Sequence, residues 1–181
     1  MERRDVVSSE RPRRGPTPAG CLSPGTGELL PDVTLTTPSG VPVSLGQYSG
    51  RRDLVVALLG AGTAGDVLGR LLDGLARSRA AIDEEEAAVL VVRPADAARM
   101  PDDATGAFTV LVDDDAAFHL CVGAVDAAGR AAPALFITDR FREIYHAFRP
   151  TDAEWPPSVD EVLSWLVFMN IQCPECGAPE W

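Results

Sequence analysis

Short apolar runs separated by Gly- and Pro-rich punctuation organise this chain, and their spacing predicts its elements. Regular structure is expected from about Leu30 onward. Val33 and Leu35 alternate with Thr34 and Thr36, Pro38-Ser39-Gly40 marks a turn, and Val41, Val43 and Leu45 alternate again. That is the pattern of a β-hairpin. Leu54 to Leu59 is a continuous apolar run, as a central strand buried on both faces requires. After the corner Gly60-Ala61-Gly62, the residues Leu68, Leu71, Leu72 and Leu75 recur at helical spacing. Ile82 continues the same face, which predicts one long helix closed by a solvated acidic end, Asp83 to Glu86.

Ala88 to Val92 predicts a second buried strand, residues 93–106 a polar loop, and Phe108 to Val112 a further strand. Asp113-Asp114-Asp115 follows. Three adjacent carboxylates can bind a metal, but here they suit the start of a short helix through Phe118 and Leu120, whose free N–H groups favour negative charge. Ala134 to Thr138 and Phe141 to Phe148 flank Asp139-Arg140 and predict two antiparallel strands joined by a tight turn. Ser158 with Glu161 three residues on is a capping box, and Val162, Trp165, Leu166 and Met169 form the apolar face of a last helix. This order predicts an α/β domain with a mixed central sheet and helices on both faces.

The 181 residues suffice for one core and are short for two. The domain is expected to span residues 28–172. Residues 1–27 hold Arg3, Arg4, Arg11, Arg13 and Arg14 among Gly and Pro, and bury too little apolar surface to offset the entropy of ordering them. They predict a flexible, slightly basic tail. The net charge of -11 argues against nucleic acid or an anionic membrane surface as partner. No run approaches the roughly 20 apolar residues that span a bilayer. No secretory signal follows Met-Glu-Arg-Arg, so the cytoplasm is the expected compartment. There the four cysteines, Cys21, Cys121, Cys173 and Cys176, are expected to be reduced unless catalytic or metal-bound. They do not make a disulfide scaffold, and Cys121, in an apolar helix-like stretch, is expected to be a buried, inert thiol.

Residues 28–170 resemble the redoxin or peroxiredoxin-like branch of the thioredoxin superfamily, the alkyl hydroperoxide reductase and thiol-specific antioxidant group. The residues that carry the resemblance are Leu30-Pro31-Asp32-Val33-Thr34-Leu35, Val43-Ser44-Leu45 with Tyr48-Ser49-Gly50-Arg51, the strand 54–59 running into a helix, and Pro133-Ala134-Leu135-Phe136-Ile137-Thr138-Asp139. The resemblance implies a thioredoxin-like fold with its chemistry at the strand-to-helix corner. A cysteine there feels the helix dipole and loose N–H groups, which favour the thiolate that attacks a peroxide or disulfide. The family presents Cys-x-x-Cys or Thr-x-x-Cys at that corner; this chain has Thr63-Ala64-Gly65-Asp66. In either register Asp66 takes a cysteine position and no sulfur remains, so the corner reads as a site that has become a helix cap. The resemblance also places Pro133 at the family's cis-proline and Arg130 near the arginine that steadies the thiolate. With no thiolate, Arg130 reads as a surface residue.

Cys173-Pro174-Glu175-Cys176-Gly177 is the most distinctive local motif. It admits three readings: a dithiol that cycles with its disulfide, half of a zinc or iron knuckle, or an exposed pair without chemistry. A tetrahedral metal site needs four ligands, so the half-site would take Cys21 as a third ligand, or be completed by a second copy in a homodimer or by a different subunit. His119 and His146 read as ordinary surface or core residues, and Trp181 as a large apolar residue suited to burial against the domain or a partner. The expectation is a redoxin-fold accessory or interaction protein, not a peroxidase, acting through Cys173 and Cys176. The alternative is a thiol-disulfide oxidoreductase using the same pair.

Overall fold

In the computed structural model, residues 23–61, 65–95, 97 and 106–172 are described. The predicted hairpin forms from β1 (Thr34–Thr36) and β2 (Pro42–Ser44). A short 3-10 turn, Leu45–Tyr48, follows it, capped by the Ser44 side chain. The central strand is β3 (Asp53–Leu58), buried along its whole length. Next come α1 (Gly65–Arg77), α2 (Arg79–Glu84), β4 (Ala87–Pro94), β5 (Thr109–Asp113) and α3 (Ala117–Cys121). The chain then forms β6 (Ala134–Thr138), β7 (Ile144–Phe148) and α4 (Val159–Ile171).

The seven strands make one sheet in the order β2-β1-β5-β4-β3-β6-β7. β3, β4 and β5 run parallel, while β6, β7 and the hairpin are antiparallel. The mixed sheet and its two covered faces are those the element order predicts. Alternate residues of the central strands feed separate cores. Val55 and Ala57 of β3 pack with Leu68, Leu71, Leu72 and Leu75 of α1, Ile82 of α2 and Val162, Leu166 and Met169 of α4. Leu54, Val56 and Leu58 pack on the other side with Leu30, Leu45, Phe118 and Val122. Each leucine buried this way contributes about 1.5–3 kcal/mol relative to exposure.

Several boundaries differ from the sequence pattern. The long helix is two, because the chain breaks at Ser78 before α2 turns to carry Ile82 inward. Its acidic end is partly engaged: Asp83 pairs with Arg52 and Arg79, and Glu85 accepts from Asn170. The turn after β6 is wider than predicted, with Arg142 at φ 71 and Phe141 exposed, so β7 begins at Ile144. Residues before 28 also join the sheet's edge. The Pro24 carbonyl accepts from Arg149, and the Gly27 N–H donates to the Ile144 carbonyl, which ties this stretch to β7. Among the described residues no helix is long and apolar enough to cross a membrane.

Candidate functional site at the β3–α1 corner

β3 ends at Leu58, and the corner begins with Leu59 and Gly60. Here glycine is required by space. A Cβ on Gly60 would stand 2.8 Å from Pro133 Cδ and 3.1 Å from its nitrogen. The Ala61 N–H donates to the Ala131 carbonyl at 2.8 Å, so the loop before β6 is fastened beneath the corner. Pro133 therefore lies against the corner. Its bond to Ala132 is trans, unlike the cis form the resemblance implies; the cis bond among the described residues is Trp155–Pro156.

Helix α1 opens at Gly65, which makes Asp66 the second residue of its first turn. A helix start favours negative charge through its dipole and unpaired N–H groups. Thr63 and Ala64 lie outside the described residues.

Beneath the corner stands a buried pair whose members, read from sequence, are an ordinary core histidine and a helix-capping carboxylate. His119 of α3 is fully buried and Asp113, at the end of β5, is 1% exposed. The ring Nδ1 lies 2.6 Å from Asp113 Oδ2, and Nε2 lies 2.9 Å from the Leu59 carbonyl. A carbonyl only accepts, so Nε2 carries a hydrogen and donates it. At 2.6 Å the Nδ1–carboxyl contact is short for a hydrogen bond between a ring nitrogen and a carboxyl oxygen. Asp113 also accepts from the N–H groups of His119 and Phe118 at 3.0 and 3.3 Å. Burial alone would raise this carboxyl, but the ring and the two N–H groups together hold it below the ordinary aspartate value. Asp115 accepts from the Ala117 N–H. Asp113 and Asp115 thus cap α3, and His119 joins α3 to the carbonyl that follows β3.

The second buried carboxyl lies at the opposite end of β3. Asp53 is 2% exposed, and its Oδ1 has no hydrogen-bond partner. Burial pushes it up to about 6, against the opposing charge of Arg140, whose Nε stands 3.6 Å away.

Of the other residues singled out from sequence, Arg130 is exposed and paired with Asp126 at 2.8 Å. His146 stacks on Trp165 at 4.8 Å between ring centres. Cys121 is half-buried and disulfide-bonded, which corrects the expectation of an inert thiol. Helical apolar spacing reports burial and is blind to a partner from a distant segment. Cys21, Cys173, Cys176 and Trp181 lie outside the described residues, so the proposed knuckle or dithiol is not described. Among the described residues no group of three or more His, Cys, Asp or Glu could hold a metal ion.

The strand order, the parallel β3–β4–β5 core and the corner against Pro133 define a thioredoxin-like fold of the peroxiredoxin type. The solved structures it resembles include AhpC of Mycobacterium bovis, at 18% identity and a TM-score of 0.62 over 81% of this chain and 97% of that one. A thiol peroxidase from Chromobacterium violaceum matches at 18% identity and a TM-score of 0.58, over 82% of this chain and 89% of that one. The thioredoxin domain of a thiol-disulfide oxidoreductase from Bacteroides vulgatus matches at 17% and 0.57, over 81% and 99%. At such identities the likeness is one of fold. No protein-family model and no curated protein sequence matches the chain.

Proposed function

We propose that this protein is a redoxin-fold accessory or interaction protein with a vacated thiol site, which docks a protein partner or a second copy, or shares zinc or iron, through Cys173 and Cys176. The reading rests on the β3–α1 corner, which runs from Leu59 to Asp66 without a cysteine. Cys121, the one cysteine among the described residues, is already disulfide-bonded. Neither a threonine hydroxyl nor an aspartate carboxylate performs thiol exchange, which needs a thiolate. Docking at the C-terminal end is supported by the outward side of α4. Val167 and Phe168 are 44% exposed and Ile171 is 74% exposed, directly ahead of Cys173.

The second reading is a thiol-disulfide oxidoreductase of the antioxidant class that uses the Cys173/Cys176 dithiol. It is favoured by the thiol peroxidase and the oxidoreductase among the similar structures. Metal analysis and thiol titration on one sample, purified without chelators, separate the two. Bound zinc or iron that is lost in Cys173→Ser and Cys176→Ser, with no peroxide consumption, supports the first reading. A metal-free chain whose two thiols oxidise reversibly and are reduced by a thioredoxin system supports the second. Peroxide consumption that survives both serine substitutions overturns both.

A further inference from the structure

We propose that the cavity at the foot of the parallel strands, where Arg52 and Arg79 converge, binds a small phosphate-bearing molecule. It lies at the end of the sheet opposite the β3–α1 corner. Asp53, at the start of β3, pairs with Ala87, at the start of β4, and Ala87 lines the cavity.

The cavity has a volume of about 240 Å³. Ile82, Val89 and Phe108 form an apolar wall, and Arg52 and Arg79 form a charged one. Ile82 and Val89 belong to the core beneath, which fixes that wall in place. The described residues that line the cavity include these two arginines and no carboxylate. The chain as a whole carries a net charge of -11, and the cavity beside β1 is lined by Asp113, Asp114 and Asp115. The positive sign is therefore local to this site. A concave wall with two cations and an apolar backing concentrates anions.

Both guanidinium groups are held in place. Asp83, behind them, bridges the two: Arg52 Nη1 stands 3.4 Å from its Oδ1 and Arg79 Nε 3.1 Å from its Oδ2. Arg52 Nη1 also donates to the Ala87 carbonyl at 3.0 Å, and Arg79 Nη1 donates to the Ala107 carbonyl. A guanidinium has five N–H donors. Among the described residues, Nε and Nη2 of Arg52 and Nη2 of Arg79 have no partner. Two cations thus share one carboxylate, and one positive charge is left over. The acidic residues that follow Asp83 do not neutralise it. Glu85 accepts from Asn170 of α4, Glu86 stands 3.7 Å from Arg140, and neither lines the cavity.

The class of ligand follows from these donors. Asp83 already takes the place between the two groups that a planar carboxylate would fill. The donors left over sit on two separate side chains. They suit a tetrahedral anion, whose several terminal oxygens accept from both arginines at once. The apolar wall suits a small carbon body attached to it. At about 30 Å³ per water, the cavity has room for about eight, enough for a phosphate carrying one small ring.

The test is an NMR titration of the full chain with phenyl phosphate, at constant ionic strength so that general screening is matched. Saturable shifts are expected in the Arg52 and Arg79 Nε–H signals and in the Val89 and Thr109 amides. Arg79→Lys keeps the charge and removes the fork, and should bind about tenfold more weakly. No saturable shift, equally tight binding of benzoate, or an unchanged affinity in Arg79→Lys overturns the proposal. Circular dichroism of the variant checks that its helices and sheet are retained. Arg52→Gln provides the second variant, and full affinity there also overturns the assignment. These outcomes do not depend on Cys173 and Cys176.

Discussion

Replacing His119 with phenylalanine tests how the corner is supported. The phenyl ring keeps most of the volume but removes both ring nitrogens. The Asp113 side chain, 2% exposed, keeps its two backbone N–H donors and loses the contact at 2.6 Å. The Leu59 carbonyl loses its His119 donor at 2.9 Å. Breaking a buried pair from one side costs about 3–5 kcal/mol, and orphaning a buried acceptor about 1–3. The retained N–H donors offset part of this, so the expected loss is about 3–4 kcal/mol at pH 7, a large share of the roughly 5–15 kcal/mol typical of a domain.

Urea unfolding followed by tryptophan fluorescence measures this loss. Its pH dependence has a definite sign. The folded Asp113 carboxyl titrates below its unfolded value. Its contribution is complete above about pH 4 and fades as pH falls through the folded value, so the gap between wild type and variant narrows in acid. The amides of Leu59 and Ala61, bonded to Val92 and Ala131, should exchange faster in the variant than its global stability loss explains. A variant within about 1 kcal/mol of wild type, with those amides unchanged, refutes the support role.

Two further substitutions probe the same strand. Asp53→Asn should stabilise the protein at pH 7 by about 1–2 kcal/mol, because a carboxyl raised to about 6 opposes folding once ionised, while Arg140 loses a partner in the exchange. The folded state binds more protons than the unfolded one between about pH 4 and 6, so wild-type stability falls as pH rises through that window and the advantage vanishes near pH 4; an advantage independent of pH contradicts the assignment. Gly60→Ala should lower Tm, at a cost of about 1–3 kcal/mol, because the new methyl meets the Pro133 ring, which cannot rotate away; an unchanged Tm would show that the corner has slack.

The sequence by itself determined the architecture wherever one local period carried the information. The unbroken Leu54–Leu59 run marked a strand buried on both faces, the leucines of α1 marked its inward stripe, and Ser158 with Glu161 marked the start of α4, where Ser158 accepts from the Glu161 N–H. That no cysteine stands between Leu59 and Asp66 was equally legible, since it needs only residue identity. Tertiary structure alone decided the contacts made across distance. Asp113, His119 and Leu59 lie on β5, on α3 and just past β3, and meet only when β3 and β5 join one sheet with α3 over its end. Asp53 reads as a polar strand residue until burial raises its carboxyl beside Arg140. The oxidised state of Cys121 belongs with these, because helical spacing ranks a residue by the side it faces. A periodic pattern records how one segment meets solvent; which distant atom meets a buried nitrogen, carboxyl or sulfur is set by chain topology.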